Sequence, residues 1–255
     1  MAFITCKVSA GQKPVKLIEQ VDFSHVHIQD AFWSPRLEKH ITTTLPVCID
    51  QIENQTGRIQ NFENAAKGTG KHSGIFFNDS DVYKALEGIA YALINHPDPA
   101  LEKKADQWIA KMAAAQQPDG YINTFYTLTG LGKRWTNMDK HEMYCAGHMI
   151  EAAVAYYKAT GKRQLLDVSI RMADHMMSVF GPGKRNWVPG HEEIELALVK
   201  LFQTTGERKY LDFANGSGVR YLTSYGQYYV PYNNHDLFYT FQGLTTDGKY
   251  WVSVI

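Results

Sequence analysis

The run Thr160-Gly-Lys-Arg-Gln-Leu-Leu-Asp167 returns 45 residues further on as Thr205-Gly-Glu-Arg-Lys-Tyr-Leu-Asp212, and His96-Pro-Asp-Pro-Ala-Leu101 reads as a looser earlier copy. A unit of this length cannot bury its own apolar face and must stack on its neighbours. The chain therefore reads as an array of helical hairpins, either a solenoid or a closed α/α barrel. In the best-defined hairpin the first helix, His141 to Gly161, has few charges and is apolar around most of its circumference, the mark of a buried helix. Its partner places Leu166, Ile170, Ala173, Met177 and Phe180 on one face, with Lys162, Arg163, Asp167, Arg171 and Asp174 largely off it. Buried helices alternating with amphipathic ones favour the barrel, whose active groups would come from inner-helix ends and the loops that join hairpins.

The polar residues of the buried helix are not scattered. His141, Tyr144, His148 and Glu151 follow one another at spacings of three, four and three, which puts them in one stripe of a 3.6-residue helix. Met143, Gly147, Ile150, Val154 and Tyr157 form an apolar stripe beside it. Polar groups left buried and unpaired cost several kcal/mol, so these side chains must be bonded internally or face a wet cavity.

Elsewhere, Val26-His-Ile-Gln-Asp30 suggests a short strand or extended entry, and Ser34-Pro35 a capped helix start that would stop before Pro46. Residues 56–68 are mixed, and Gly68 to Gly74 reads as an exposed loop. Asn78-Asp-Ser-Asp81 is a capping cluster ahead of a helix from Val82 to Ile94; Pro99 starts another helix, to about Gln117, and Pro118-Asp-Gly-Tyr121 is a turn. Past Ala214 the character changes. Asn215-Gly-Ser-Gly218 resembles a linker, and Tyr239-Thr-Phe-Gln242 and Tyr250 to Ile255 are strand candidates around Thr246-Asp-Gly-Lys249. The expected division is an N-terminal arm at 1–25, a partial α/α-barrel domain at 26–214 and a β-rich tail, a hairpin, at 215–255.

Charge excludes some partners. Lys plus Arg equals Asp plus Glu at 26 each, so nothing marks a nucleic-acid or anionic-membrane surface, and a neutral ligand such as a small sugar is expected. The Tyr and Trp content suits stacking on sugar faces and equally suits an ordinary core. Cys6, Cys48 and Cys145 are far apart and form no Cys-x-x-Cys pattern, which points to a reducing, cytoplasmic setting and not to a disulfide framework. No signal peptide is evident, and no apolar run reaches membrane-spanning length.

Several stretches together resemble the catalytic domain of the β-L-arabinofuranosidases of glycoside hydrolase family 127. They are Ala31-Phe32-Trp33, Asn78-Asp-Ser-Asp-Val-Tyr-Lys84, Gln116-Gln-Pro-Asp-Gly-Tyr-Ile-Asn-Thr124, His141-Glu-Met-Tyr144 with Gly147-His148, and Pro189-Gly-His-Glu-Glu-Ile-Glu-Leu-Ala-Leu198. The resemblance spans about residues 26–214, in family order. It implies an all-α, six-hairpin α/α toroid that removes terminal L-arabinofuranosyl residues with retention. In that family a zinc-bound cysteine thiolate is understood to act as nucleophile and a glutamate as acid/base, whereas most retaining glycosidases use two carboxylates. Those motifs lie in the second half of the family's barrel, and none of the three cysteines here matches them. The expectation is thus an incomplete toroid with no zinc site of its own in this chain, no identified catalytic residue, and self-association into a homo-oligomer through exposed inner-helix surface.

What the resemblance does carry over is sugar contact by His141 and His191, whose neutral imidazoles can both donate and accept. Tyr144, between His141 and His148, is a third candidate, although tyrosine is also a common core residue. Asp81 is a fourth, weighed against helix capping, which is also the first explanation of Asp79. His148, deeper in its helix, reads first as a satisfied core histidine. Glu192, Glu193 and Glu195 read first as acids placed in a helix's first turn by the backbone dipole. A catalytically silent carbohydrate-binding or structural fragment is the alternative function. A different α/α-barrel enzyme, an epimerase or lyase, would need its own acid/base pair.

Overall fold

The structure is a computed structural model, and it describes residues 21–181, 183–185, 189 and 191–214. The 215–255 tail, with its expected hairpin, lies outside the described residues, as do residues 1–20 of the arm. The described part is helical, with no strand beyond one isolated bridge between Phe180 and Arg185. Ten α-helical segments follow in order: α1 Ser34–Lys39, α2 Leu45–Asp50, α3 Arg58–Lys67, α4 Asn78–Asn95, α5 Pro99–Ala115, α6 Thr124–Thr129, α7 Glu142–Thr160, α8 Gln164–Val179, α9 Glu193–Thr205 and α10 Arg208–Asp212. No helix among the described residues is long and apolar enough to cross a membrane.

The repeat holds down to individual hydrogen bonds. α7 ends at Gly161 and α9 at Gly206, with φ of 74° and 76°, the left-handed conformation that glycine adopts without a Cβ penalty. The amides of Gly161 and Gly206 donate to the Tyr157 and Phe202 carbonyls, each at 2.7 Å. Thr160 Oγ1 donates to the Tyr156 carbonyl and accepts from Lys162 N; Thr205 Oγ1 does the same with the Leu201 carbonyl and Glu207 N. The α4–α5 turn lacks the glycine and is closed by Asp98, which accepts from the amides of Ala100 and Leu101.

α7 lies between α4 and α9 and is buried on nearly every face, including Met149, Ile150, Ala152 and Ala153. Gly147 lets it come close to α9, for a Cβ there would lie 2.6 Å from Glu193 Cγ. α5 and α8 cover it from outside, tied on by Tyr156 Oη to Asp106 at 2.6 Å and Ser169 Oγ to the Met149 carbonyl at 3.4 Å. The core joins Phe62, Leu86, Ile89, Trp108, Met112, Met172, Met176, Ile194, Leu198 and Leu201 in one cluster. Each such side chain contributes roughly 1.5–3 kcal/mol by leaving water. The buried face of α8 runs through Leu165, Leu166, Ser169, Met172, Ala173 and Met176. The expected Ile170 and Met177 are only partly covered.

Three local expectations are corrected. The first helix does not stop before Pro46; wide π-turns at His40–Thr44 and Gln51–Gln55 link α1 to α2 and carry the helix on to Gln55. Leu45 N bonds the His40 carbonyl, five residues back. The π-turn thus changes the ladder's register just before the proline, which has no N–H to give. Ser34 is inside α1 rather than its cap, and the amides of Phe32 and Trp33 are taken by Asp30 Oδ1. Asn78 to Asp81 are not caps either, since α4 begins at Asn78 itself. The buried Asp79 accepts from Thr124 N at 2.7 Å and Thr124 Oγ1 at 2.5 Å, and Asp81 binds Arg58. Both carboxylates therefore join elements instead of capping their own helix.

Candidate functional site at the mouth of the inner helices

Two segments deliver imidazoles to the N-terminal ends of α7 and α9. Asn137 Oδ1 accepts from Asp139 N and opens a 3-10 turn over Met138–Lys140, closed by the bond from His141 N to the Met138 carbonyl. His141 then takes φ 60° and ψ 30°, while its carbonyl already accepts from Cys145 N. That left-handed step is uncommon for a residue with a side chain, and here it carries the His141 ring clear of the helix it precedes. His191 stands two residues before α9.

The two rings meet. His141 Nε2 and His191 Nε2 are 3.2 Å apart, a contact in which one ring donates and the other accepts. Phe77 stacks on His141 with centroids 5.4 Å apart, and Phe76 presents its edge at 5.5 Å. Tyr144 packs against His141, His191 and His148, with centroids at 5.5, 4.8 and 4.4 Å. Its hydroxyl accepts from Lys84 Nζ at 2.5 Å. His148 Nδ1 lies 3.1 Å from Glu193 Oε1, a close approach without hydrogen-bond geometry.

The electrostatics hold His141 and His148 toward their neutral forms. Burial, reinforced by His191, lowers the pKa of His141 below the ordinary histidine value. Burial, then Lys84 and His191, hold His148 down to about 4. Burial, then Glu151 and Glu87, push Glu193 up to about 7. Neutral imidazoles, a phenol and one ammonium suit hydroxyl groups better than a charged ligand. Nδ1 of His141 is buried and has no hydrogen-bond partner among the described residues.

Of the four residues singled out in the sequence, the structure brings His141, His191 and Tyr144 together. Asp81 is engaged elsewhere, by Arg58 Nε at 2.9 Å and Nη2 at 2.8 Å. Phe76, Phe77 and Lys84 complete the cluster without having been singled out. Their signal was available: two adjacent aromatics just ahead of an inner helix, and a lysine two turns into it. Beneath the cluster a polar network holds the loop before α7. Glu142, 3% exposed, accepts from Tyr121 Oη at 2.6 Å and Trp135 N at 2.7 Å. Trp135 Nε1 donates to His175 Nε2 at 3.2 Å, and Arg134 pairs with Asp119 at 2.7 Å.

Among the described residues no group of three or more His, Cys, Asp or Glu side chains could hold a metal ion. Cys145 is buried and faces the Phe77 carbonyl at 3.9 Å. Burial, with Asp79 next, pushes its thiol well above the ordinary cysteine value, the opposite of what a thiolate nucleophile or zinc ligand requires. The described donors do not fit a zinc–thiolate centre.

Comparison with known proteins adds an independent finding. The family model "Beta-L-arabinofuranosidase, GH127 catalytic domain" matches residues 25–223. A non-reducing end β-L-arabinofuranosidase of Bifidobacterium longum subsp. longum is 39% identical over 216 residues, covering 73% of this chain and 32% of that protein. The crystal structure of a GH127 β-L-arabinofuranosidase from Geobacillus stearothermophilus T6 is similar with a TM-score of 0.72 at 44% identity, over 74% of this chain and 31% of that one. A solved GH127 β-arabinofuranosidase gives 0.73 at 41% identity, over 80% and 34%. The chain thus spans about a third of the length of the relatives it matches.

Proposed function

Because this chain belongs to the GH127 β-L-arabinofuranosidase catalytic-domain family, we propose that residues 26–214 are part of an α/α toroid whose inner-helix mouth binds a terminal L-arabinofuranosyl group. The contact of His141 Nε2 with His191 Nε2 at 3.2 Å, on the ends of two adjacent inner helices, carries the reading. The imidazoles bond the sugar hydroxyls. His191, exposed where His141 is half-buried, swings to admit the sugar, and Tyr144 lines the pocket beside them. Phe76 and Phe77 hold the His141 ring and offer apolar edges to sugar C–H groups.

In this reading the described residues recognise the sugar, and the groups that break the glycosidic bond belong to the part of the family's domain that the match does not reach. The chemistry of Cys145 supports this, since a buried thiol kept protonated is a poor nucleophile. The function read from the described residues is recognition of the sugar.

Calorimetric titration with methyl β-L-arabinofuranoside, whose ring cannot expand, tests it. Binding should be measurable and should fall at least about tenfold in the His141→Ala, His191→Ala double variant, in line with about 1.4 kcal/mol lost. A folded double variant that binds as the parent does would remove the histidines from the site. Zinc-dependent release of arabinose from an aryl β-L-arabinofuranoside by this chain would overturn the division between recognition and bond breaking.

A further inference from the structure

Glu142 follows His141 in sequence but points the other way, into the interior. Its two carboxylate oxygens are used separately: Oε1 accepts from Tyr121 Oη at 2.6 Å and Oε2 from Trp135 N at 2.7 Å. Trp135 and His141 are the non-glycine residues of positive φ among the described residues, at 59° and 60°. Such a conformation is strained and persists only when its surroundings hold it. The bond from Trp135 N to Glu142 closes a short loop of chain, and both strained residues lie on that loop. Trp135 is pinned in addition by His175, by the edge of Tyr121 at 5.5 Å and by Phe180 at 5.2 Å. The His141 amide donates to the Met138 carbonyl inside the same loop, and its carbonyl accepts from Cys145 N.

From this geometry we infer that Glu142 is a positioning residue: by fastening Trp135 N and Tyr121 Oη to the first turn of α7, it holds His141 in the left-handed conformation that sets its ring against Phe77 and His191. The inference rests on the sugar-binding reading for its purpose and on the loop geometry for its content. Glutamine at this position can accept from Trp135 N and donate to Tyr121 Oη, so it should hold the loop. Leucine, similar in shape, can do neither.

The test uses the His141 imidazole proton and carbon NMR signals, assigned by their loss in His141→Ala. In the parent these signals carry the ring-current shift of the stacked Phe77. Glu142→Leu should move them toward the values of the exposed His25 and His96 and lower affinity for methyl β-L-arabinofuranoside at least tenfold. Glu142→Gln should restore both to within about twofold of the parent. Tyr121→Phe, which removes one donor and leaves Trp135 N bonded, should shift the His141 signals part of the way, and it keeps the question decidable if Glu142→Leu does not fold. A folded Glu142→Leu or Tyr121→Phe variant with unmoved His141 signals would overturn the inference, as would a Glu142→Gln variant no better than Glu142→Leu. Should the parent fail to bind the glycoside, the sugar reading falls, and the NMR shifts still decide the role of Glu142.

Discussion

Individual carboxylates make the sharpest distinctions in this molecule. Glu195, in the first turn of α9, is where a helix dipole welcomes an acid, yet its side chain is buried and neither oxygen has a hydrogen-bond partner among the described residues. Burial pushes its pKa up to about 8 from an ordinary 4.5. The folded state therefore binds more protons than the unfolded state between those values. The stabilisation is complete below pH 4.5 and is lost as pH rises through 8. Replacing Glu195 by Gln should flatten the fall in melting temperature between pH 5 and pH 9 and leave the variant at least about 2 °C more stable than the parent at pH 9. An unchanged slope would show that the carboxyl is charged and paired in solution. At this scale the sequence was partly legible. His141 and His191 were marked by the family motifs, and Tyr144 by its helical spacing. Asp79 and Asp81 were misread as caps because a cluster of Asn, Asp and Ser looks the same whether its side chains turn back to their own helix or reach Thr124 and Arg58. That choice is tertiary.

Elements were legible wherever period and punctuation agreed. The 45-residue echo foretold two matched hairpin turns, and both appear with the same glycine, threonine and carbonyl bonds. The reading of Pro46 as a helix stop failed, because a π-turn is invisible to a rule that expects every helix to keep 3.6 residues per turn. α7 packs closely on α9 at Gly147. A Cβ at Gly147 would meet Glu193 Cγ at 2.6 Å and the Glu193 backbone carbon at 3.0 Å. Alanine normally favours a helix over glycine by about 1 kcal/mol, but here the clash should dominate. Denaturant unfolding of Gly147→Ala should show a loss of about 1–3 kcal/mol, with Gly132→Ala, which meets nothing within 4 Å, close to neutral. A stabilised Gly147→Ala variant would mean that the two helices can part freely.

At the scale of the whole molecule, the interior of the hairpin array contrasts with the segment that leads into it. Phe32, Trp33 and Val47 are 55%, 53% and 56% exposed, and Val21, Val26 and Ile28 are exposed as well. Apolar side chains gathered along one segment in this way mark a surface that is covered in use. Sedimentation velocity should show the mean mass rising with concentration, and a Phe32→Ser, Trp33→Ser variant should suppress the rise. A monomer at every concentration would show that these side chains do not form a self-association surface. The central claim remains that two helix ends meet to present His141 and His191 to one sugar. It is tested most directly by following the imidazole NMR signals of both histidines while methyl β-L-arabinofuranoside is added. The account predicts that the two signals move together along one saturation curve while those of the exposed His25, His27 and His96 stay in place. If neither moves at saturating glycoside, or if they follow different curves, the two imidazoles do not share a ligand and the account is wrong.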